Sequence, residues 1–296
     1  MDSAILLAFG AMLGWGVADF LIQKTIKKIG WLETLWWINL GSFIFLLPLV
    51  YKSLATLNGP KILLLIILGI ITILGAIAHF KALEIGKLSV VEIILFFELP
   101  LTILFGIIFL KNTLFFYQIF LIIMLFVGVI LISLDFNKMR RRQFWFFWEK
   151  TKIFLEKGTW LAGLTAILLA LTNSLVAVGA TDVNPLLVIW FPWTLGGLIC
   201  LSYLLSKRRF GQIIQDGKKN WALILIMTII DIGAWLFFSF SIAQEGELAI
   251  VASVTEGYIV IAMLLGIYFN KEKIRGWQYV GAGITIVCSF LIGLTS

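Results

Sequence analysis

Five carboxylic acids and one imidazole stand inside otherwise apolar stretches of the chain: Asp19, Glu92, Glu98, Asp231 and Glu256, with His79 the single histidine. Ionisable groups within such stretches are costly and face a cavity or a partner, which makes each a functional candidate. Glu98, Asp231 and Glu256 have no lysine or arginine at comparable depth in their segments. An unpaired carboxylate in a medium of low dielectric takes up a proton or recruits a cation. Both outcomes suit a group that binds a cationic or zwitterionic molecule when ionised and releases it when protonated. The competing reading is that neutral acids hydrogen-bond between helices as structural glue. Asp19 and Glu92 sit nearer segment ends, where water, Lys24 or Lys87 is available to satisfy them. His79, with an unperturbed pKa of about 6.5, suits a proton relay or a hydrogen-bonded packing role. It cannot hold a metal alone, and no Cys, His or acid at ligand spacing along the chain accompanies it, so neither metal nor cofactor is expected. Trp15, Asn173 and Tyr258, with Asn39 and Trp235, are candidates to line the same space. Aromatic faces there would attract an organic cation, although each alone also reads as packing or as an interfacial residue.

The elements that carry these groups follow from composition. Of 296 residues 61% are hydrophobic and 13% charged, against about 25% charged in soluble domains. So few charges cannot cover a water-facing surface, and the chain reads as a membrane protein. A spanning helix needs about 20 apolar residues, and ten apolar runs fit, near 3–23, 31–51, 61–83, 88–110, 114–134, 159–179, 185–205, 220–243, 247–269 and 276–294. Their loops leave no room for a large soluble domain, which excludes a secreted enzyme, a nucleic-acid-binding domain and a disulfide scaffold. Open strands are excluded in lipid, and the runs are uniformly apolar rather than alternating as in a barrel. The expected fold is all-α. At about 1.5 Å per residue, Glu98, Asp231 and Glu256 fall near mid-membrane. Cys200 and Cys288 read as small buried thiols. The first run lacks a basic leader and a cleavage site, and reads as a retained span. Gly10 and Gly14 read as a close helix contact, and Pro100 and Pro192 as kinks.

Twenty of the 23 lysines and arginines fall on one side of a ten-span arrangement, including Lys24, Lys87, Arg140 and Lys271; only Lys52, Lys61 and Lys111 fall on the other. Basic loops favour the cytoplasm, which predicts both termini outside. The net charge of +7 is thus an orientation signal and not a sign of a nucleic-acid partner. The segment 135–158 joins Arg140–Arg142 to a run of Phe and Trp at 144–148, an expected interfacial anchor on membrane lipid. Trp31, Trp36, Trp37, Trp190 and Trp193 are expected in the aromatic belt.

The chain also repeats itself. Residues 86–134 align with 246–294 at a constant offset of 160: Gly86 on Gly246, Gly106 on Gly266, Lys111 on Lys271, Gln118 on Gln278. A weaker match at offset 154 sets Asp19 on Asn173 and Trp36 on Trp190. Three segments follow: a first repeat over 1–134, the linker 135–158 and a second repeat over 159–296. Each repeat has an odd number of crossings, so the second enters from the opposite face and the halves are inverted. That is the architecture of many secondary transporters, with the site near mid-membrane between the repeats. Duplication that merely enlarges a scaffold is the alternative.

Trp15–Gly16 in the first run and the segments 104–134 and 264–294 resemble the drug/metabolite transporter superfamily, and within it the ten-span EamA-type transporters. The motif after the fourth span is Phe109-Leu110-Lys111-Asn112-Thr113-Leu114 with Gln118 and Gly128. Its second copy is Phe269-Asn270-Lys271-Glu272-Lys273-Ile274 with Gln278 and Gly281. Only the second copy keeps the family's acid, as Glu272, and neither keeps its glycine. The resemblance implies a central cavity lined by the inner spans, with the fifth and tenth peripheral. It also implies termini in the cytoplasm, opposite to the charge count.

The expected function is secondary transport of a small polar metabolite, an amino acid or organic amine, by alternating access across the inner or plasma membrane. Protons are the expected coupling partner, and a homodimer through the peripheral spans is open. The expected site comprises Glu98, Asp231, Glu256, Asp19, His79, Trp15, Asn173 and Tyr258. The alternatives are a non-transporting scaffold or receptor and, less favoured, a membrane enzyme. No Gly-x4-Gly-Lys-Ser/Thr loop or HExxH motif is present.

Overall fold

The computed structural model of the protein describes residues 3–110, 115–133, 157–244, 248–271 and 275–294. Among them the chain is helical and contains no strand. The first half holds α1 (Ser3–Ile29), α2 (Trp31–Val50), α3 (Gly59–Ile85), α4 (Leu88–Leu95), α5 (Glu98–Leu110) and α6 (Phe116–Ser133). The second half holds α7 (Thr159–Asp182), α8 (Leu187–Ser206), α9 (Phe210–Ala243), α10 (Leu248–Thr255), α11 (Tyr258–Phe269) and α12 (Gly276–Leu294). Seven helices among the described residues, taking α10 and α11 as one, are long and apolar enough to cross a membrane. The protein is a multi-pass membrane protein, and its exterior fits that solvent: Leu13, Leu49, Leu63 and Ile108 each expose more than half of their surface. In water such a surface would be an aggregation liability; in lipid it costs nothing.

Local chemistry sets the helix starts. Asn58 Oδ1 accepts the Lys61 backbone N–H at 3.2 Å, with Pro60 in the first turn, so α3 begins there. Asn184 Oδ1 does the same for Leu186 and Leu187 before α8. Gly30, at φ +93°, turns the chain between α1 and α2. Two helices outrun their expected spans. α1 continues to Ile29, well past 23, and α9 begins at Phe210, with non-helical backbone at Asn220 separating a first segment from the apolar run. Arg209 at the head of α9 is paired with the buried Glu33 of α2 at 2.5 Å.

The two halves pack as counterparts. α1 lies on α9 as α7 lies on α3; α1 meets α11 as α7 meets α5; α2 meets α9 as α8 meets α3. α2 packs on α8, and α6 on α12, each element on its own counterpart. Among these pairs α6 and α12 stand apart, touching α4 and α10 and otherwise each other. Gly14 permits the α1–α9 approach: a Cβ there would sit 2.7 Å from the Ala234 Cβ.

Several expectations on the interior are corrected. Trp36, Trp190 and Trp193 are buried, not in a belt. Trp36 packs on Trp37 with ring centres 4.7 Å apart, and the Trp190 indole N–H donates to the Phe43 carbonyl at 3.4 Å. Helix–helix packing claimed rings that apolar flanks had suggested for the interface. Pro192 lies inside an unbroken α8, whereas Pro100 lies in the first turn of a new helix. Cys200 and Cys288 are buried free thiols. The basic and aromatic run at 140–148, and the motif residues 111–114 and 272–274, lie outside the described residues.

Candidate functional site

The expected fourth and ninth spans are each two helices. α4 gives way to α5 at Phe96–Phe97, and α10 to α11 at Glu256–Gly257. The positions are 160 residues apart, the offset of the repeat. In the first half the cause is Pro100. It has no N–H for the Phe96 carbonyl, which instead accepts from Leu99 at 3.2 Å. Phe97 likewise bonds back three residues, to Ile94 at 3.2 Å. In the second half Gly257, Ile259 and Val260 each bond three residues back, at 3.3, 3.2 and 3.2 Å. Both steps are short 3₁₀-like turns that interrupt the α-helical ladder, a feature frequent at functional hinges.

These steps deliver Glu98 to the first turn of α5 and Glu256 to the residue pair before α11. They open onto one cavity between the halves, walled by α1, α3, α5, α7, α8, α9 and the α10–α11 step. All eight residues expected at a site line it: Trp15, Asp19, His79, Glu98, Asn173, Asp231, Glu256 and Tyr258. Asp19, Glu98, Asp231 and Glu256 are 6%, 6%, 5% and 3% exposed, so their carboxyls are withdrawn from lipid and bulk water alike. Among the described residues the cavity wall contains no lysine or arginine. The cavity volume is about 60 Å³, against the roughly 10–15 Å³ that one water requires. The space is narrow, suited to a small occupant.

The polar groups are partly paired. Asn173 of α7 donates from Nδ2 to Glu98 Oε1 at 2.5 Å, a bond from the second half to the first. Thr72 and Thr172 meet hydroxyl to hydroxyl at 3.5 Å. Two buried oxygens, Asn173 Oδ1 and Glu256 Oε2, have no hydrogen-bond partner among the described residues. Buried acceptors without donors are uncommon in native interiors and call for an explanation. An occupant that brings N–H groups or positive charge would supply one.

Rings fill the rest of the wall. Trp15 stands edge-on to Trp235 at 4.9 Å between ring centres and to Tyr258 at 5.9 Å, and Trp193 stands 6.2 Å from Trp235. Asn39, by contrast, is buried away from the cavity and donates to the Leu35 carbonyl of its own helix at 2.8 Å.

Position along the chain misled in one place. Asp19 and Glu92 were expected near span ends beside Lys24 and Lys87. Because α1 runs on to Ile29, Asp19 is well inside it, and Glu92 is fully buried on α4. His79 Nε2 lies 3.5 Å from Glu92 Oε1. Asp19, His79 and Glu92 each offer a ligand atom within 4.8 Å of the other two. The expectation that no ligand-type cluster accompanies His79 is therefore corrected: spacing in sequence hid it, because its members come from α1, α3 and α4. Glu92, a candidate acid by its place in an apolar run, was not among the eight residues expected at the site. Trp193, Thr72 and Thr255 were likewise absent from the expected wall; Trp193 was masked by its resemblance to a belt residue.

Comparison with known proteins agrees with this frame. A solved structure described as "Crystal structure of protein" superposes with a TM-score of 0.69 at 16% identity, covering 99% of this chain and 97% of its own, a likeness of fold. The uncharacterized protein MJ1333.1 of Methanocaldococcus jannaschii is 27% identical over 140 residues, 46% of this chain and 99% of the relative. The match spans nearly all of that protein and under half of this one. A model of the EamA-like transporter family matches twice, at residues 2–134 and 156–294. The chain belongs to the EamA-like transporter family.

Proposed function

We propose that this protein is a secondary transporter of the inner or plasma membrane that carries a small amino acid or organic amine. Its two halves are inverted five-span units, ten crossings in all, and alternate the exposure of the cavity between them. Family membership gives the transporter-type function at the level of the whole protein. The counterpart packing of the halves and the matching steps at 96–97 and 256–257 support the inverted arrangement. Interrupted helices at a repeat interface are where transporters of this build bind their cargo.

One observation carries the cargo class: Glu98, Asp231 and Glu256 converge on one cavity whose wall, among the described residues, holds no lysine or arginine. An ammonium group would satisfy them electrostatically and donate to Glu256 Oε2 and Asn173 Oδ1. Trp15, Trp235 and Tyr258 would take its apolar flank and attract the cation through their ring faces. Protonation of the same carboxyls would release it, coupling flux to the proton gradient. The narrow cavity favours a small cargo, and the excess of basic residues in alternate loops supports termini outside.

Flux tests this reading. Proteoliposomes of the full chain should take up radiolabelled amines or amino acids chosen by a thermal-shift screen, since ligand binding stabilises the folded state. Unchanged flux in each of Glu98→Gln, Asp231→Asn and Glu256→Gln, with folded protein, would discard the carboxyl mechanism. A chain that binds and moves nothing would leave a scaffold or receptor. Cysteine labelling of an Arg140→Cys variant from outside intact cells should be negative; strong labelling would reverse the orientation.

A further inference from the structure

We propose that Asp19, His79 and Glu92 form a binding site for one divalent first-row transition-metal ion, set in the first-half wall of the cavity. The three side chains come from α1, α3 and α4 and are 6%, 9% and 0% exposed. Their ligand atoms lie within 4.8 Å of one another, and His79 Nε2 is 3.5 Å from Glu92 Oε1. A tetrahedral ion bound at about 2.0–2.2 Å to nitrogen and oxygen holds neighbouring ligand atoms roughly 3.3 Å apart. The His79–Glu92 separation already meets that spacing. The Asp19 ligand oxygen lies within 4.8 Å of both, near enough for a side-chain rotation to bring it into the same shell.

Charge selects the valence. Two carboxylates with a neutral imidazole carry two negative charges, which a divalent ion cancels and a monovalent ion does not. In a buried setting that cancellation matters, because uncompensated charge is strongly disfavoured. The imidazole then selects the metal: nitrogen ligands favour zinc, cobalt, nickel and copper, whereas magnesium and calcium prefer all-oxygen shells. Three protein ligands leave a position open. Asp19 and His79 both line the cavity, so that position faces its interior. Among the described residues the same cavity also holds the partnerless Glu256 Oε2 and Asn173 Oδ1 and no lysine or arginine, so it is short of positive charge.

This inference stands apart from the amine reading. A chain that binds the metal and moves no amine keeps it, and amine flux without metal binding overturns it alone.

The experiment uses untagged full-length protein in detergent, because His79 is the only histidine in the chain. Calorimetric titration with Zn²⁺ or Co²⁺ should give one site per chain. X-ray absorption of the bound zinc should show a single imidazole, which can come only from His79. Glu92→Gln and His79→Gln should each weaken binding at least about tenfold, while Asp182→Asn, at the exposed end of α7, leaves it within about twofold. Absence of a stoichiometric site, or a bound ion whose spectrum lacks imidazole, overturns the proposal; so does unchanged affinity in both variants. The spectrum is read on the unsubstituted protein and decides the matter even where a variant fails to fold.

Discussion

The α4–α5 and α10–α11 steps occupy the same place in the two repeats and carry different chemistry. Glu98, just past the first step, aligns with Tyr258; Glu256, within the second, aligns with Phe96; Glu92 aligns with Ala252. The backbone devices differ as well. Pro100 removes a hydrogen-bond donor from the first, while the second has Val260 at that position and Gly257 within the step itself. Acids needed only to hold the helices together would be needed in both copies, because the same frame is built twice. They occur at unlike positions that nonetheless reach one cavity. The repeat supplied the frame, and the carboxyls were placed individually within it.

If the carboxyls serve cargo, removing them should produce the largest effects. Glu98→Gln, Asp231→Asn and Glu256→Gln are each expected to lower flux at least tenfold, about 1.4 kcal/mol in the barrier or more. The check is initial uptake in proteoliposomes containing equal amounts of folded protein. Equal losses at Glu98 and Glu256 would mean that the two steps contribute alike despite their unlike sequences.

Gly14→Leu should cost stability next, about 1–3 kcal/mol from overpacking, since its Cβ would meet Ala234 at 2.7 Å. Thermal unfolding in detergent reads this, and an unshifted midpoint would show that α1 and α9 do not meet as described. Asn173→Ala strips Glu98 of its donor. A charged hydrogen-bond partner contributes about 1.5–3 kcal/mol, so both stability and uptake should fall, less than for Glu98→Gln. Uptake equal to that of the unsubstituted protein would make the bond incidental.

The smallest effects separate the two devices. Pro100→Ala restores an N–H that can reach the Phe96 carbonyl, and hydrogen exchange around residues 96–100 should slow as the first step closes. Gly257→Ala brings a Cβ to 2.5 Å from Met12 Sδ, the movable end of a flexible thioether. That change should stay within about 1 kcal/mol by thermal unfolding. A larger loss would show that the second step depends on glycine as the first depends on proline.

Much of this was legible from residue types. Uniform apolar runs mark helices that cross lipid, because nothing else satisfies a backbone there. Lone acids within such runs pointed at the cavity wall, since burying them anywhere else is costly. What stayed hidden was depth and partnership. Asp19 seemed peripheral because the apolar run ends near Gln23, yet α1 continues through Lys24, Lys27 and Lys28 to Ile29. Charged residues near a helix end reach water along their own stems, so they end the apolar pattern without ending the helix. Trp193 seemed interfacial because tryptophan suits both a membrane boundary and a packed seam.

The sequence alone determined the solvent, the helical class, the repeat and the residue types present in the interior. Each is a local property, fixed by hydropathy, by backbone hydrogen bonding in lipid, or by self-similarity at one offset. Only the tertiary structure decided that Asp19, His79 and Glu92 converge and that Asn173 reaches across to Glu98. It also decided that α4 gives way to α5, and α10 to α11, where the cavity opens. Those contacts join residues 13 to 75 positions apart, and such proximity depends on how helices pack, which no window along the chain contains.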